Sequence, residues 1–203
     1  MQEWFSLLGR ETALGAAEVA ALSPQATLTI TASILRGTGV IPDWDRCGSI
    51  VRAGKVLGSG PIQSAKDLAT TIVELIPAKD SKFVLGLSAP GMASPRYSNL
   101  CKAIKQAAVL TDRKVRIIRS QTGTVLNTGE LSHNGVMRKG AEFMIWEEKG
   151  HTFIGQVSWE QDVAAYAARD QARPARDARV GMLPPKLAQT LINLAQVPAD
   201  QTI

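Results

Sequence analysis

Residues Phe83-Val-Leu-Gly-Leu87 form a short run without a polar position. A strand of that kind has no side to offer to water, so it belongs in the middle of a sheet. Lys114-Val-Arg-Ile-Ile118 reads as another strand. Between the two, Asn99 caps a helix running to about Leu110, with Leu100, Ala103, Ile104, Ala107 and Ala108 as its buried stripe. Ser64-Ala-Lys-Asp67 is a capping box, with Asp in the usual Glu place, that opens a helix to about Ile76. The runs 142–146 and 152–158 are strands joined through Glu147-Glu-Lys-Gly150, a hairpin signal.

The N-terminal part reads as a smaller α+β unit. Trp4 to Leu8 is a strand and Gly9 to Leu14 a turn. A helix follows from about Ala16 to Leu22, with Gly15 at the N-cap and Glu18 at N3. Ala26 to Ile34 alternates as a half-buried strand, Asp43 to Cys47 forms a helical turn, and Ser49 to Leu57 is a further strand. That order fits a ferredoxin-like arrangement, and Gly58-Ser-Gly-Pro61 marks its boundary. The predicted class is α+β: two small domains, a linker and a terminal helix.

A hydrophobic content of 45% with 20% charged residues excludes a disordered chain. No apolar run approaches the roughly 20 residues of a membrane helix, and the start at Met1-Gln-Glu-Trp lacks a signal-peptide pattern. Cys47 and Cys101 stand alone, which argues against a disulfide framework or a metal site and for a reducing, cytoplasmic setting. Catalytic constellations are absent: neither His133 nor His151 has a partner at triad or metal spacing. Gly37-Thr-Gly39 and Gly58-Ser-Gly60 lack the third glycine and the helix that a nucleotide loop requires, and read as turns. Pro184-Pro185-Lys186 starts a helix whose apolar face is Leu187, Leu191, Ile192, Leu194 and Ala195.

Net charge is +5, and its distribution is uneven. The first sixty residues balance. From Lys102 to Lys139 the basic residues Lys102, Lys105, Arg113, Lys114, Arg116, Arg119, Arg138 and Lys139 face only Asp112 and Glu130. Either this excess faces a polyanion, or it solvates helix and strand ends. His133, in a loop of this region, either contacts phosphate or base, or simply packs the loop.

Three stretches carry a family resemblance: Phe5-Ser-Leu-Leu-Gly-Arg-Glu11 with the Ala-rich helix holding Glu18; Asn134-Gly-Val-Met-Arg-Lys-Gly-Ala-Glu-Phe143 followed by Gly155-Gln-Val-Ser-Trp-Glu-Gln-Asp162; and Tyr166 to Ala195, with Arg-Asp-x-x-Arg-Pro-x-Arg-Asp and Gly-Met-Leu-Pro-Pro-Lys-Leu-Ala-Gln. Together they resemble the archaeal and eukaryotic tRNA guanosine N2-methyltransferase family and its bacterial relatives. Gly15 departs from the serine expected at the first helix cap.

The resemblance implies a ferredoxin-like N-terminal domain at 1–60 and a THUMP-like, RNA-binding α/β domain at 61–165. It further implies a basic linker at 166–182, and at 183–203 the first helix of a Rossmann-like methyltransferase domain otherwise missing from the chain. Lys114, Arg116, Arg119, His133, Asn134, Arg138, Lys139, Arg173 and Arg176 are the RNA-binding candidates. The linker arginines either bind RNA or pair with Asp170 and Asp177. Pro184, Pro185 and Lys186 are candidates for the side facing the cofactor, S-adenosylmethionine. The family's glycine-rich loop and its Asn/Asp-Pro-Pro-aromatic motif are absent, so no catalytic residue is assigned and this chain alone is expected to be inactive. The expected role is recognition of tRNA or another structured RNA. The alternatives are a stand-alone RNA-binding module and the recognition half of a DNA methylase.

Overall fold

A computed structural model describes residues 2–77, 82–173 and 181–197. It is a mixed α/β structure that divides into two compact units, 1–54 with 158–203, and 55–157. The divisions fall inside two strands, β4 (Ile50–Pro61) and β8 (His151–Glu160). No described helix is long and apolar enough to cross a membrane.

The first unit contains β1 (Glu3–Leu8), α1 (Thr12–Leu22), β2 (Thr27–Thr31), β3 (Ile34–Thr38) and the start of β4, with strand order β2-β3-β1-β4. To these it adds α6 (Val163–Gln171) and α7 (Pro185–Ala195). Trp4, Leu8, Val19, Leu35 and Ile50 form its core. The Trp4 ring lies directly on Gly37, where any Cβ would collide with it.

Glu18 organises this unit. It is fully buried on α1, and four neutral groups donate to its carboxylate. Gly48 N–H and the Asn193 side-chain amide reach Oε1 at 2.9 and 2.7 Å, while Ser49 N–H, at 2.9 Å, and the Ser49 hydroxyl reach Oε2. Burying a carboxylate is tolerable only with such a full set of donors. Their origins make it a three-way joint between α1, the 47–49 segment and α7.

The second unit has strand order β4-β8-β7-β5-β6. Its new elements are α2 (Ala65–Glu74), β5 (Phe83–Ser88), α3 (Ser94–Leu110), β6 (Val115–Arg119), α4 (Thr128–Asn134), α5 (Val136–Lys139) and β7 (Gly140–Glu148). The apolar run at 83–87 is indeed interior, in a strand parallel to β6 on one side and to β7 on the other. Leu85 and Leu87 face α2 and α3 in the main core, while Val84 joins Ile118, Leu126, Leu131 and Val136 on the opposite face. Arg113 donates to the carbonyls of Val73 and Ile76, satisfying the open end of α2.

Several elements differ from expectation. The stretch 26–34 is not one strand: Ala32, at φ 52°, turns it into the β2–β3 hairpin. α1 starts at Thr12, so Gly15 lies inside the helix and Glu18 points sideways instead of capping. α3 starts at Ser94, behind Ala93, not at Asn99. Gly58-Ser-Gly-Pro61 belongs to β4 and ends no unit. Residues 163–171, partly assigned to a linker, are helical, and the helix at 185–195 packs on α1.

Replacing Glu18 by Ala strands buried donors, and the expected loss is on the order of 3 kcal/mol. Thermal denaturation should show a melting temperature about 10 °C lower. An unchanged midpoint would mean that the joint contributes nothing. Burial, reinforced by the negative charge of Glu18, pushes the Cys47 thiol up from 9.0 to about 12. Its protonated form therefore favours the folded state, a contribution intact below pH 9.0 and lost as pH rises from there towards 12. Urea denaturation at pH 8 and pH 10.5 should reveal an alkaline loss of about 2 kcal/mol that shrinks in Cys47→Ala.

Candidate nucleic-acid interface

Strand geometry decides which cations of the second unit share a surface. Successive residues of β6 point to opposite faces, and its register pairs Val84 with Arg116 and Leu87 with Arg119. Arg116 accordingly emerges on the side of α4 and α5, where its Nη2 donates to Asn134 Oδ1 at 3.0 Å. Asn134 is fixed in turn by its amide donating to Glu130 O at 2.8 Å. His133, Arg138 and Lys139 are exposed on the same two short helices, and Lys114, just before β6, is exposed as well.

α4 exists because of a capping box. Asn127 Oδ1 accepts from Glu130 N at 2.8 Å, and Glu130 Oε2 accepts from Asn127 N at 2.9 Å. Gly135, at φ 62°, ends α4 in the left-handed conformation and turns the chain into α5. This turn brings the Arg138 guanidinium back over Gly135. The pattern Asn127-x-x-Glu130 was the signal that would have revealed the helix.

Arg119 does not join that group. It lies on the α3 side, in a cleft of about 550 Å³ lined also by Ser94, Ser98, Gln121 and Thr122. A basic cluster of Lys114, Arg116 and Arg119 is thus divided by strand alternation. Arg173 is engaged locally, its Nη2 donating to Asp170 Oδ1 at 2.6 Å and to Leu183 O at 2.8 Å. Arg176 and Arg179, with Asp177, lie outside the described residues. His151 sits at the β7–β8 turn, its Nδ1 3.3 Å from Lys149 O.

Pro184, Pro185 and Lys186 open α7 in the first unit. The Lys186 ammonium donates to Gln161 Oε1 at 2.5 Å and lies 5.2 Å from the Tyr166 ring centre; burial lowers its pKa. Tyr166 donates to Gln189 Oε1 at 2.6 Å. Gly48 lies so close to α7 that a Cβ would strike the Lys186 carbonyl. Lys186 also lines a cleft of about 320 Å³ together with Arg10, Glu11, Gln161 and Thr190, and no step of chemistry is assigned to these residues. Among the described residues no group of His, Cys, Asp and Glu is arranged to hold a metal ion.

No protein-family model and no curated protein sequence matches the chain. Solved structures do. TrmN from Thermus thermophilus matches with a TM-score of 0.54 and 12% identity, over 95% of this chain and 54% of TrmN. SMU.472, described as a methyltransferase and solved with SAH, matches with a TM-score of 0.51 and 10% identity, over 98% of this chain and 50% of its own. The fold is shared with these proteins. The chain spans about half the length of each.

Gly48→Ala should loosen α7 from its seat. Hydrogen exchange of the amides in 185–195 is expected to rise at least tenfold, corresponding to about 1.4 kcal/mol of lost local stability, while the interior of β5 keeps its protection. Unchanged exchange in α7 would show that the close approach at Gly48 does not hold the helix.

Proposed function

We propose that this chain is the RNA-recognition portion of an S-adenosylmethionine-dependent RNA methyltransferase acting on guanine N2. The fold shared with TrmN and with SMU.472, over about half of each, supports the methyltransferase connection. The cofactor is taken up by the complete protein and not by this chain alone. On this proposal, the strand order β2-β3-β1-β4 corresponds to the ferredoxin-like domain. The second unit corresponds to the THUMP-like domain, and tRNA or another structured RNA is its ligand.

The observation that carries the RNA reading is the convergence of Arg116, Asn134, Arg138 and Lys139 on the α4–α5 side of β6. Arg116 is oriented by Asn134 at 3.0 Å and, among the described residues, pairs with no carboxylate. Guanidinium and ammonium groups presented in this way suit phosphate oxygens, and they set register without reading sequence. Lys114 and His133 extend the same surface, with the imidazole available to a sugar or base edge.

A second proposal, a stand-alone RNA-binding module, is favoured by one contact. α7 is seated on its own unit through Asn193 and Glu18, as a self-sufficient protein requires. Limited proteolysis separates the two: a cut at 169–180 that releases a stable core favours the recognition portion of a larger enzyme. Competition between tRNA and duplex DNA tests the remaining alternative, a DNA methylase.

Changing Arg116, Arg138 and Lys139 together to Ala should weaken tRNA binding and flatten its dependence on salt. The slope of log affinity against log salt should fall by roughly 0.7 to 0.9 for each lost phosphate contact. Unaltered affinity and slope would remove these residues from the interface.

A further inference from the structure

We propose that the cleft at the carboxyl ends of β5 and β6 binds the phosphate monoester of a nucleotide. This goes beyond the RNA surface above and does not depend on it. From β5 the chain passes to α3, which covers the face of Leu85 and Leu87. From β6 it passes to α4, which covers the face of Val84 and Ile118. Two adjacent parallel strands whose following helices lie on opposite faces leave a crevice between their outgoing segments, the usual ligand position in open α/β sheets.

The crevice here is the cleft of about 550 Å³ around Arg119. Its volume suits a mononucleotide. Ser94 and Ser98 of α3 form one wall, with Arg119, Gln121 and Thr122 on the other. Among the described residues, the Arg119 guanidinium makes no hydrogen bond or ion pair, and neither do the hydroxyls of Ser94, Ser98 and Thr122.

The neighbouring groups explain why Arg119 is left to a ligand. Tyr97, also lining the cleft, donates its hydroxyl to Leu87 O at 2.6 Å and stays protonated, its pKa raised by burial. The nearby carboxylate of Glu130 is occupied by Gln121 N and Asn127 N, both at 2.9 Å. It therefore fixes the segment bearing Gln121 and Thr122 without pairing with Arg119. A cleft of donors on two walls matches a group with three acceptor oxygens, which a planar carboxylate does not provide.

The phosphate can belong to a free nucleotide or to the phosphorylated end of an RNA strand. Calorimetric titration of the full chain distinguishes these with four probes: adenosine 5′-monophosphate, adenosine, and one short RNA carrying either a 5′-phosphate or a 5′-hydroxyl. A preference of about tenfold or more for the phosphorylated member of either pair is expected. Preference in the nucleoside pair assigns the site to a free nucleotide; preference in the RNA pair alone assigns it to a strand end. Arg119→Gln should abolish the preference and Thr122→Val reduce it, both without changing the melting curve, while the Arg116, Arg138 and Lys139 triple variant retains it. Equal affinity within both pairs, or a preference that survives Arg119→Gln, overturns the proposal. Neither result bears on tRNA affinity through the α4–α5 surface, which the triple variant reads separately.

Discussion

The first unit depends on one buried carboxylate. Glu18 receives donors from three parts of the chain: the backbone of Gly48 and Ser49, the Ser49 hydroxyl, and Asn193 on the last helix. Each donor is neutral, so the charge is stabilised by oriented dipoles. That requirement explains the surroundings. Residue 48 must be glycine for α7 to approach, and Asn193 must be buried although it lies on a terminal helix. One turn before Asn193 on α7, Gln189 ties Tyr166 to the Asp45 carbonyl. The helix is thereby an integral part of the unit.

In the second unit the governing constraint is the two-residue repeat of the strand. Arg116 and Arg119 are close in sequence, yet β6 sends them to opposite sides. One joins Asn134, Arg138 and Lys139, while the other enters a cleft of hydroxyls. Arg113 serves neither side, because its guanidinium closes the carbonyl end of α2. A basic stretch that looks uniform along the chain is therefore divided among separate places: the exposed α4–α5 side, a cleft and a helix cap.

Legibility followed the strength of local signals. β5, the β7–β8 hairpin and the Ser64 cap of α2 could be read because their patterns are strong: an unbroken apolar run, a Lys-Gly turn between two apolar runs, and a hydroxyl three residues before Asp67. The β2–β3 hairpin escaped because its turn, Ala32-Ser33, carries none of the residues that normally mark a positive φ. α4 was missed although Asn127 and Glu130 announce it. Most of α6, from 166 onward, reads as linker in the sequence because its arginine resembles the basic stretch that follows.

The sequence by itself determined that helices and strands are mixed, the interior place of residues 83–87, the isolation of both cysteines and the excess of cations between 102 and 139. These depend on composition and on contacts close along the chain. The tertiary structure alone decided the position of Glu18, the seat of α7 and the separation of Arg116 from Arg119. Glu18 and Asn193 are 175 residues apart. The face on which a strand residue emerges depends on exact register, and local propensity encodes neither kind of information.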